Sequence, residues 1–254
     1  MKVVAGDRPC LVLATGNAGK WREFQALLQG LDLNLALQAD WNVSECPEPH
    51  ATFIENALAK ARHASAQTGL PALADDSGLC VQALAGAPGV HSARFAQEDR
   101  PQTCRFASGS PEGDEKTWGG TAFSPVDGEL ESGQRSRSAQ DQANNSKLLR
   151  ELGTVTERRA HFICVFAAVR HASDPEPLIA HGWLHGRIAL ETAGEGGFGY
   201  DPLFLLPDVN LTLAQIPAEH KNSISHRARA ARQLVQLLQA FWRIGTKQAP
   251  GGQP

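Results

Sequence analysis

Leu11-Val12-Leu13-Ala14-Thr15-Gly16-Asn17-Ala18-Gly19-Lys20 is the stretch on which the reading of this chain turns. Its four apolar residues in a row fit a short buried strand. Thr15 to Lys20 is a turn-rich loop. Beyond it Trp21, Phe24, Leu27 and Leu28 fall at helical spacing, and Gly30 stands just past the end, where a helix is commonly capped. Strand, glycine loop and helix in that order open an α/β fold. The two glycines let the backbone come close to an anion and turn its N–H groups outward, and Lys20 adds a full charge to the positive end of the helix. The spacing is not that of a P-loop, which needs four residues between the first Gly and the Gly-Lys pair and then Ser or Thr; here there are two, followed by Trp21. A tight strand-to-helix turn with a solvated lysine fits the local pattern equally well.

Outward from this unit, Leu33, Leu35 and Leu37 alternate and predict a second strand. Cys46 to Ala51 carries two prolines and reads as a loop. Thr52-Phe53-Ile54-Glu55 is a capping box opening a helix to about Gln67, stopped by Gly69 and Pro71. Ala72-Leu73-Ala74 predicts a short strand that ends in Asp75-Asp76-Ser77-Gly78. Gln142 to Leu152 reads as a helix, His161 to Val169 as a strong strand, and Leu178 to His181 and Trp183 to Leu190 as two more. A glycine-rich loop follows from Gly194 to Pro202, then a final helix from about Ser225 to Trp242. Residues 100 to 139 are rich in Gly and Ser with few periodic apolar positions, a composition that does not readily offset chain entropy, so a flexible insertion is expected there. The expectation is one domain over 1–245, a frayed tail over 246–254, and an α/β fold with a mixed sheet.

Composition narrows the function classes. The 254 residues carry a net charge of −3, so no general affinity for nucleic acid is implied, and cations that meet an anionic substrate must be gathered locally. The five cysteines, at 10, 46, 80, 104 and 164, are odd in number and form no C-x-x-C pair. This argues against a disulfide framework and a zinc knuckle. No apolar run is long enough for a membrane span, and a cytoplasmic protein is expected.

Several residues could carry chemistry. Asp75 and Asp76 at the end of a strand are placed for Mg²⁺, which takes oxygen ligands; an Asx turn with two solvated acids is the competing reading. Glu48 between two prolines gains interest only beside Asp76. Lys60 could face solvent or a phosphate. Gly194 to Gly199 matches G-x-G-x-x-G, but Tyr200-Asp201-Pro202 follows where a dinucleotide site needs a helix. A loop presenting Phe198 and Tyr200 to a base is the better reading. Lys221, His226 and Arg227 sit at the start of the last helix, where cations oppose the dipole and an anionic ligand would relieve them. His181 and His185 are four apart in β structure, which is not the helical spacing of a zinc pair, and are read as surface residues.

Six stretches together resemble the inosine triphosphate pyrophosphatase family, also called Ham1-like. They are A-T-G-N-A-G-K-W-R-E-F, T-F-I-E-N-A-L-A-K-A-R, L-A-D-D-S-G-L, G-A-P-G-V-H-S-A-R-F-A, G-G-F-G-Y-D-P-L-F and K-N-S-I-S-H-R, in the family's order from about Leu11 to Trp242. The resemblance implies a long mixed sheet flanked by helices in two lobes around a nucleotide-binding cleft, and a homodimer. It implies that Thr15, Gly16, Asn17, Ala18, Gly19 and Lys20 bind the triphosphate with Lys60, and that Glu48 and Asp76 hold Mg²⁺, with Asp76 as the catalytic proton acceptor. Asp75 would support that site and Ser77 would touch the substrate. Phe198, Gly199, Tyr200 and Asp201 would form the base-side loop, with Lys221, His226 and Arg227 completing recognition. The activity implied is hydrolysis of non-canonical purine triphosphates (ITP, dITP, XTP) to monophosphate and pyrophosphate. One departure stands out: about forty residues separate Ser92-Ala93-Arg94-Phe95-Ala96 from the next family-like helix, long for a connection inside a compact domain. Competing readings are a Maf-like pyrophosphatase for pyrimidine or modified nucleotides, a non-catalytic nucleotide-binding module, and an interaction protein whose insertion is the working part.

Overall fold

A computed structural model describes residues 8–16, 18–99 and 128–247. Asn17, the part of the expected insertion from 100 to 127, and the tail from 248 lie outside the described residues. Seven strands form one mixed sheet in the order β2-β1-β3-β4-β5-β6-β7. They are β1 (Cys10–Leu13), β2 (Asn34–Leu37), β3 (Ala72–Val81), β4 (Arg159–Val169), β5 (Leu178–Ile188), β6 (Phe204–Leu206) and β7 (Leu211–Thr212). β1 runs parallel to β2 and β3, and every later pairing is antiparallel. The helices are α1 (Ala18–Leu28), α2 (Phe53–Thr68), α3 (Gly128–Leu152), α4 (Ala218–Ile224) and α5 (His226–Trp242). This is the α/β fold with a mixed sheet flanked by helices that was expected.

Both faces of the sheet are covered near β1, so β1 reads as an unbroken apolar run. On one face Leu11, Leu13, Leu73 and Phe166 pack with Phe24 and Leu28 of α1 and Leu234 and Leu238 of α5. Phe24 and Phe166 meet edge to face with centroids 5.0 Å apart. On the other, Ala57, Ala61 and Ala64 of α2 lie against Val12, Ala72, Ala74, Val165 and Ala167. Small residues on both sides bring that helix close to the strands. A further cluster under α3 joins Leu148 and Leu152 to Leu79, Phe162, Leu184 and Phe204. Thr52 caps α2 as its sequence predicts: Oγ1 accepts from the Glu55 N–H at 3.3 Å and donates to Glu55 Oε2 at 2.6 Å. Gly69 closes the helix at φ 66°, a left-handed value suited to glycine.

Three expectations need correction. Strand β3 does not stop at Ala74; it continues through both aspartates to Val81, because β4 pairs with it over its whole length, with Asp75 opposite Phe166 and Asp76 opposite Val165. The two strands read on either side of Gly182 are one, β5. Gly182 does not break it; a Cβ there would collide with the backbone of His226 and Ala230, so the glycine lets α5 rest on the strand. Helix α3 begins at Gly128, well before the expected Gln142 and inside the stretch assigned to the insertion.

Candidate active site

The site grows from the place where the sheet splits. β1 pairs with β3 only at Val12↔Ala72 and Leu13↔Leu73. The chain then turns away at Thr15 and Gly16, and among the described residues no strand pairs with that edge of β3 at 75–78. Alternation along β3 sends Asp75 and Ser77 to the face of α1 and α5, and Asp76 to the face of α2. The loop after β1, the first turn of α1 and α2 thus meet around one open strand edge.

Each aspartate meets a lysine from its own side. Lys20 Nζ lies 2.8 Å from Asp75 Oδ2, which also accepts from Ser77 Oγ at 2.8 Å. Asp75 is buried; burial alone would raise its pKa, but the charges of Lys20, Lys60 and Arg227 prevail and hold it well below the usual carboxylate range. Lys60 Nζ lies 3.2 Å from Asp76 Oδ1 and 3.0 Å from Glu48 Oε1, while Asn56 Nδ2 donates to Asp76 Oδ2 at 3.3 Å. Burial raises the pKa of Asp76, and the negative charges of Glu48 and Asp75 add to it against the pull of Lys60. Glu48 and Asp76, read from separate segments, are therefore brought together, with Lys60 between them.

The second half of the site lies across from α1. Phe198, half exposed, carries Lys221 Nζ 4.4 Å and the Arg227 guanidinium 5.2 Å from its ring centroid. Asp201 Oδ2 accepts from the Phe198 N–H at 2.8 Å and binds the Lys221 ammonium. Arg227 is buried, with Nη1 3.4 Å from Glu23 Oε2. A cavity of about 320 Å³ opens here, lined by Arg22, Glu23, Ala26, Leu27, Phe198, Lys221 and Asn222. That size suits a small-molecule site. A hollow of about 360 Å³ beside Arg170, His171, Phe241 and Trp242 contains none of the expected residues.

Tyr200 and His226, both expected in the site, are buried. Tyr200 is not offered to a base: it is buried, and its hydroxyl donates to Ser92 O at 2.8 Å, bracing the loop. His226 is buried and stacked on Phe162 at 4.9 Å; burial first, then the charges of Arg227 and Lys221, push its pKa well below the ordinary value, so the ring is neutral. Gly199 is held by α3, its N–H donating to Asp141 Oδ2 at 2.8 Å and its carbonyl accepting from Asn145 Nδ2 at 3.0 Å. Glu23, Asn56, Asp141 and Asn145 were not among the expected site residues. Glu23 had a legible signal, since it lies three residues after Lys20 on the same helix face. Asp141 had none, because its partner is 58 residues away.

Among the described residues no three His, Cys, Asp or Glu side chains already form a cage for a cation. Mg²⁺ does not require one: it keeps several waters and is commonly bound by one or two carboxylates together with substrate phosphates. Glu48 and Asp76 fit that pattern as hard oxygen donors from two segments that meet at Lys60. No helix among the described residues is long and apolar enough to cross a membrane.

Cations reaching from both faces of a sheet to carboxylates at one strand edge, with an aromatic pocket alongside, place this chain among α/β proteins that hold anionic ligands. More particularly, the chain belongs to the Ham1 family, whose model matches residues 11–109 and 131–237. It is 51% identical over 230 residues to a dITP/XTP pyrophosphatase of Bordetella pertussis, covering 91% of each chain. It is 47% identical over 231 residues to a dITP/XTP pyrophosphatase of Ralstonia nicotianae, covering 91% of this chain and 97% of that one. Among solved structures, a HAM1 protein from Coxiella burnetii superposes with a TM-score of 0.72 at 38% identity, covering 91% of this chain and 98% of that one.

Proposed function

We propose that this chain is a nucleoside triphosphate pyrophosphatase that cleaves ITP, dITP and XTP to the monophosphate and pyrophosphate. The observation that carries this reading is Lys60 bridging Asp76 and Glu48 at the open edge of β3, with Lys20 on the other side. Lys20, Lys60 and the loop from Thr15 to Lys20 meet the negative charge of the triphosphate. Glu48 and Asp76 would hold Mg²⁺, which when bound would supply charge neutralisation and a more acidic water. Asp76 takes the proton as water oxygen bonds to the α-phosphorus and the α–β bridging bond breaks. Asp75, held ionised, fixes Lys20.

Base choice rests on the far half. Phe198 offers a stacking face, and Arg227 or backbone N–H groups near it offer donors to a 6-oxo purine. Adenine, with an amino group there, would leave such donors unpaired at a cost of about 1–3 kcal/mol each. The protein works as one domain over 1–245, in the cytoplasm and as a homodimer, the last checked by sedimentation.

Pyrophosphate release from ITP, XTP, ATP, dTTP and UTP, with and without Mg²⁺, tests the proposal. Mg²⁺-dependent turnover of ITP and XTP well above the others is expected. Preference for dTTP or UTP would favour a Maf-like activity, and no release from any would leave only binding.

A further inference from the structure

The loop from 194 to 199 holds four glycines in six residues, Gly194, Gly196, Gly197 and Gly199, around one large half-exposed side chain, Phe198. Left to itself, so glycine-rich a stretch samples many backbone conformations. An aromatic carried on it would have to be ordered anew each time a ligand arrives, which weakens binding. The backbone around Phe198 is instead pinned on both sides. Its own N–H goes to Asp201. Both peptide groups of the next residue go to α3: the Gly199 N–H donates to Asp141 Oδ2, and the Gly199 carbonyl accepts from Asn145 Nδ2. Gly199 takes φ 63°, while a Cβ there would meet nothing within 4 Å. The position therefore uses glycine for its backbone angle, not for room.

Helix α3 is well seated to act as the anchor. Asp141 and Asn145 are one turn apart, and Leu148 and Leu152 continue the same face. Those two leucines pack in the cluster that holds Tyr200 and Leu203, just beyond the loop. Beside them Asn144 Nδ2 donates to Ser92 O at 3.3 Å and to Ala93 O at 3.2 Å, and Lys147 Nζ donates to Phe95 O at 2.9 Å. Asn145 itself is buried, and with its NH₂ group committed to Gly199 its Oδ1 has no hydrogen-bond partner among the described residues. An unmade hydrogen bond in the interior costs stability. An apolar residue would avoid that cost, so the amide is kept for what it donates.

We propose that Asp141 and Asn145 are positioning residues for base recognition: by clamping the two peptide groups of Gly199 they fix the bearing of Phe198 and set the affinity for the purine without touching the phosphates. This rests on the nucleotide reading given above. Phe198 and Lys221 line the same cavity, and the ring lies under both Lys221 and Arg227, so a shift of its backbone would move the aromatic face away from both cations. Lys20, Lys60 and their carboxylates are held by other elements and would stay in place.

The test compares the full chain with Asp141→Ala, Asp141→Asn, Asn145→Ala and Asn145→Asp. Asp141→Ala and Asn145→Ala should raise the KM for ITP about tenfold and change kcat by less than about twofold. The two conservative changes should then diverge. Asp141→Asn keeps an acceptor for the Gly199 N–H and should recover most of the loss. Asn145→Asp has the same shape, but its carboxylate offers no donor to the Gly199 carbonyl, so it should be as poor as Asn145→Ala. Inhibition by inorganic tripolyphosphate, which has no base, should be the same in all of them. Hydrogen exchange should quicken over 194–201 and stay level in β3 and β4. Leu152→Val, a core change on the same helix, should lower the melting temperature without raising KM, which separates positioning from stability. A wild-type KM in Asp141→Ala and Asn145→Asp, no recovery in Asp141→Asn, tripolyphosphate inhibition lost in step with ITP, or a KM raised equally in Leu152→Val would each overturn the proposal. A wild-type chain that neither binds nor cleaves ITP would sink the nucleotide reading itself, and is told apart because no variant enters that result.

Discussion

Asp75 and Asp76 are neighbours in sequence, yet their surroundings push their protons in opposite directions. Asp75 is surrounded by cations and stays ionised; Asp76 is buried beside two other carboxylates and binds its proton more tightly than usual. A carboxyl whose folded pKa lies above its unfolded value destabilises the fold when ionised, so the ionised Asp76 costs stability at neutral pH. Asp76→Asn should therefore lower turnover by about 10²–10⁴-fold, while the melting temperature stays level or rises. Measuring both on one preparation checks it: near-normal turnover, or lost activity explained by unfolding, would remove the role. At this scale the sequence marks Asp76, Glu48, Lys20 and Lys60 by residue type and family-like motif. It does not mark the pairing of Glu23 with Arg227 or of Asp141 with Gly199, because those depend on where distant helices land. Tyr200 shows the same limit, since an aromatic in a glycine-rich loop reads alike whether it faces a ligand or the core.

Elements were legible where a local signal closes on itself. The Thr52 cap, the Gly69 stop and the alternation of β5 are all written within a few residues of the structures they form. β3 looks shorter in sequence than it is because two acids in a row resemble a strand's end; only the long apolar partner β4 shows that they belong inside it. Gly182 is ambiguous in sequence because a glycine inside a strand signals either a break or a close approach, and the approaching helix begins 44 residues later. That contact is testable. Gly182→Ala should destabilise the protein by about 1–3 kcal/mol or more through overpacking, and should raise the KM for ITP, because His226 and Arg227 ride on the displaced end of α5. Gly30→Ala, where an added Cβ meets nothing within 4 Å, should shift stability by no more than about 0.5 kcal/mol. Denaturant titration of the two variants compares them directly.

For the molecule as a whole, buried titratable groups set the pH range of stability. His226 has a folded pKa well below its ordinary value of 6.5, so below that pH the unfolded chain takes up a proton that the native ring refuses. Stability is full above about pH 6.5 and falls as pH drops below it. Asp75, depressed, contributes stability above its ordinary 3.8 that is lost as pH falls through its folded value. Urea midpoints measured from pH 8 to pH 2 should decline in two stages, the second below about pH 4, and His226→Gln should flatten the first; an equally steep first stage in that variant would remove His226 as its source. The ten-residue ladder between β3 and β4 has a wider consequence. Slipping it by one residue would exchange the two aspartates between opposite sides of the sheet, handing each to the other's lysine and dismantling the chemistry without removing a single side chain. The phase is written into the ladder itself, so adding or deleting even one residue within it would be felt at both aspartates at once.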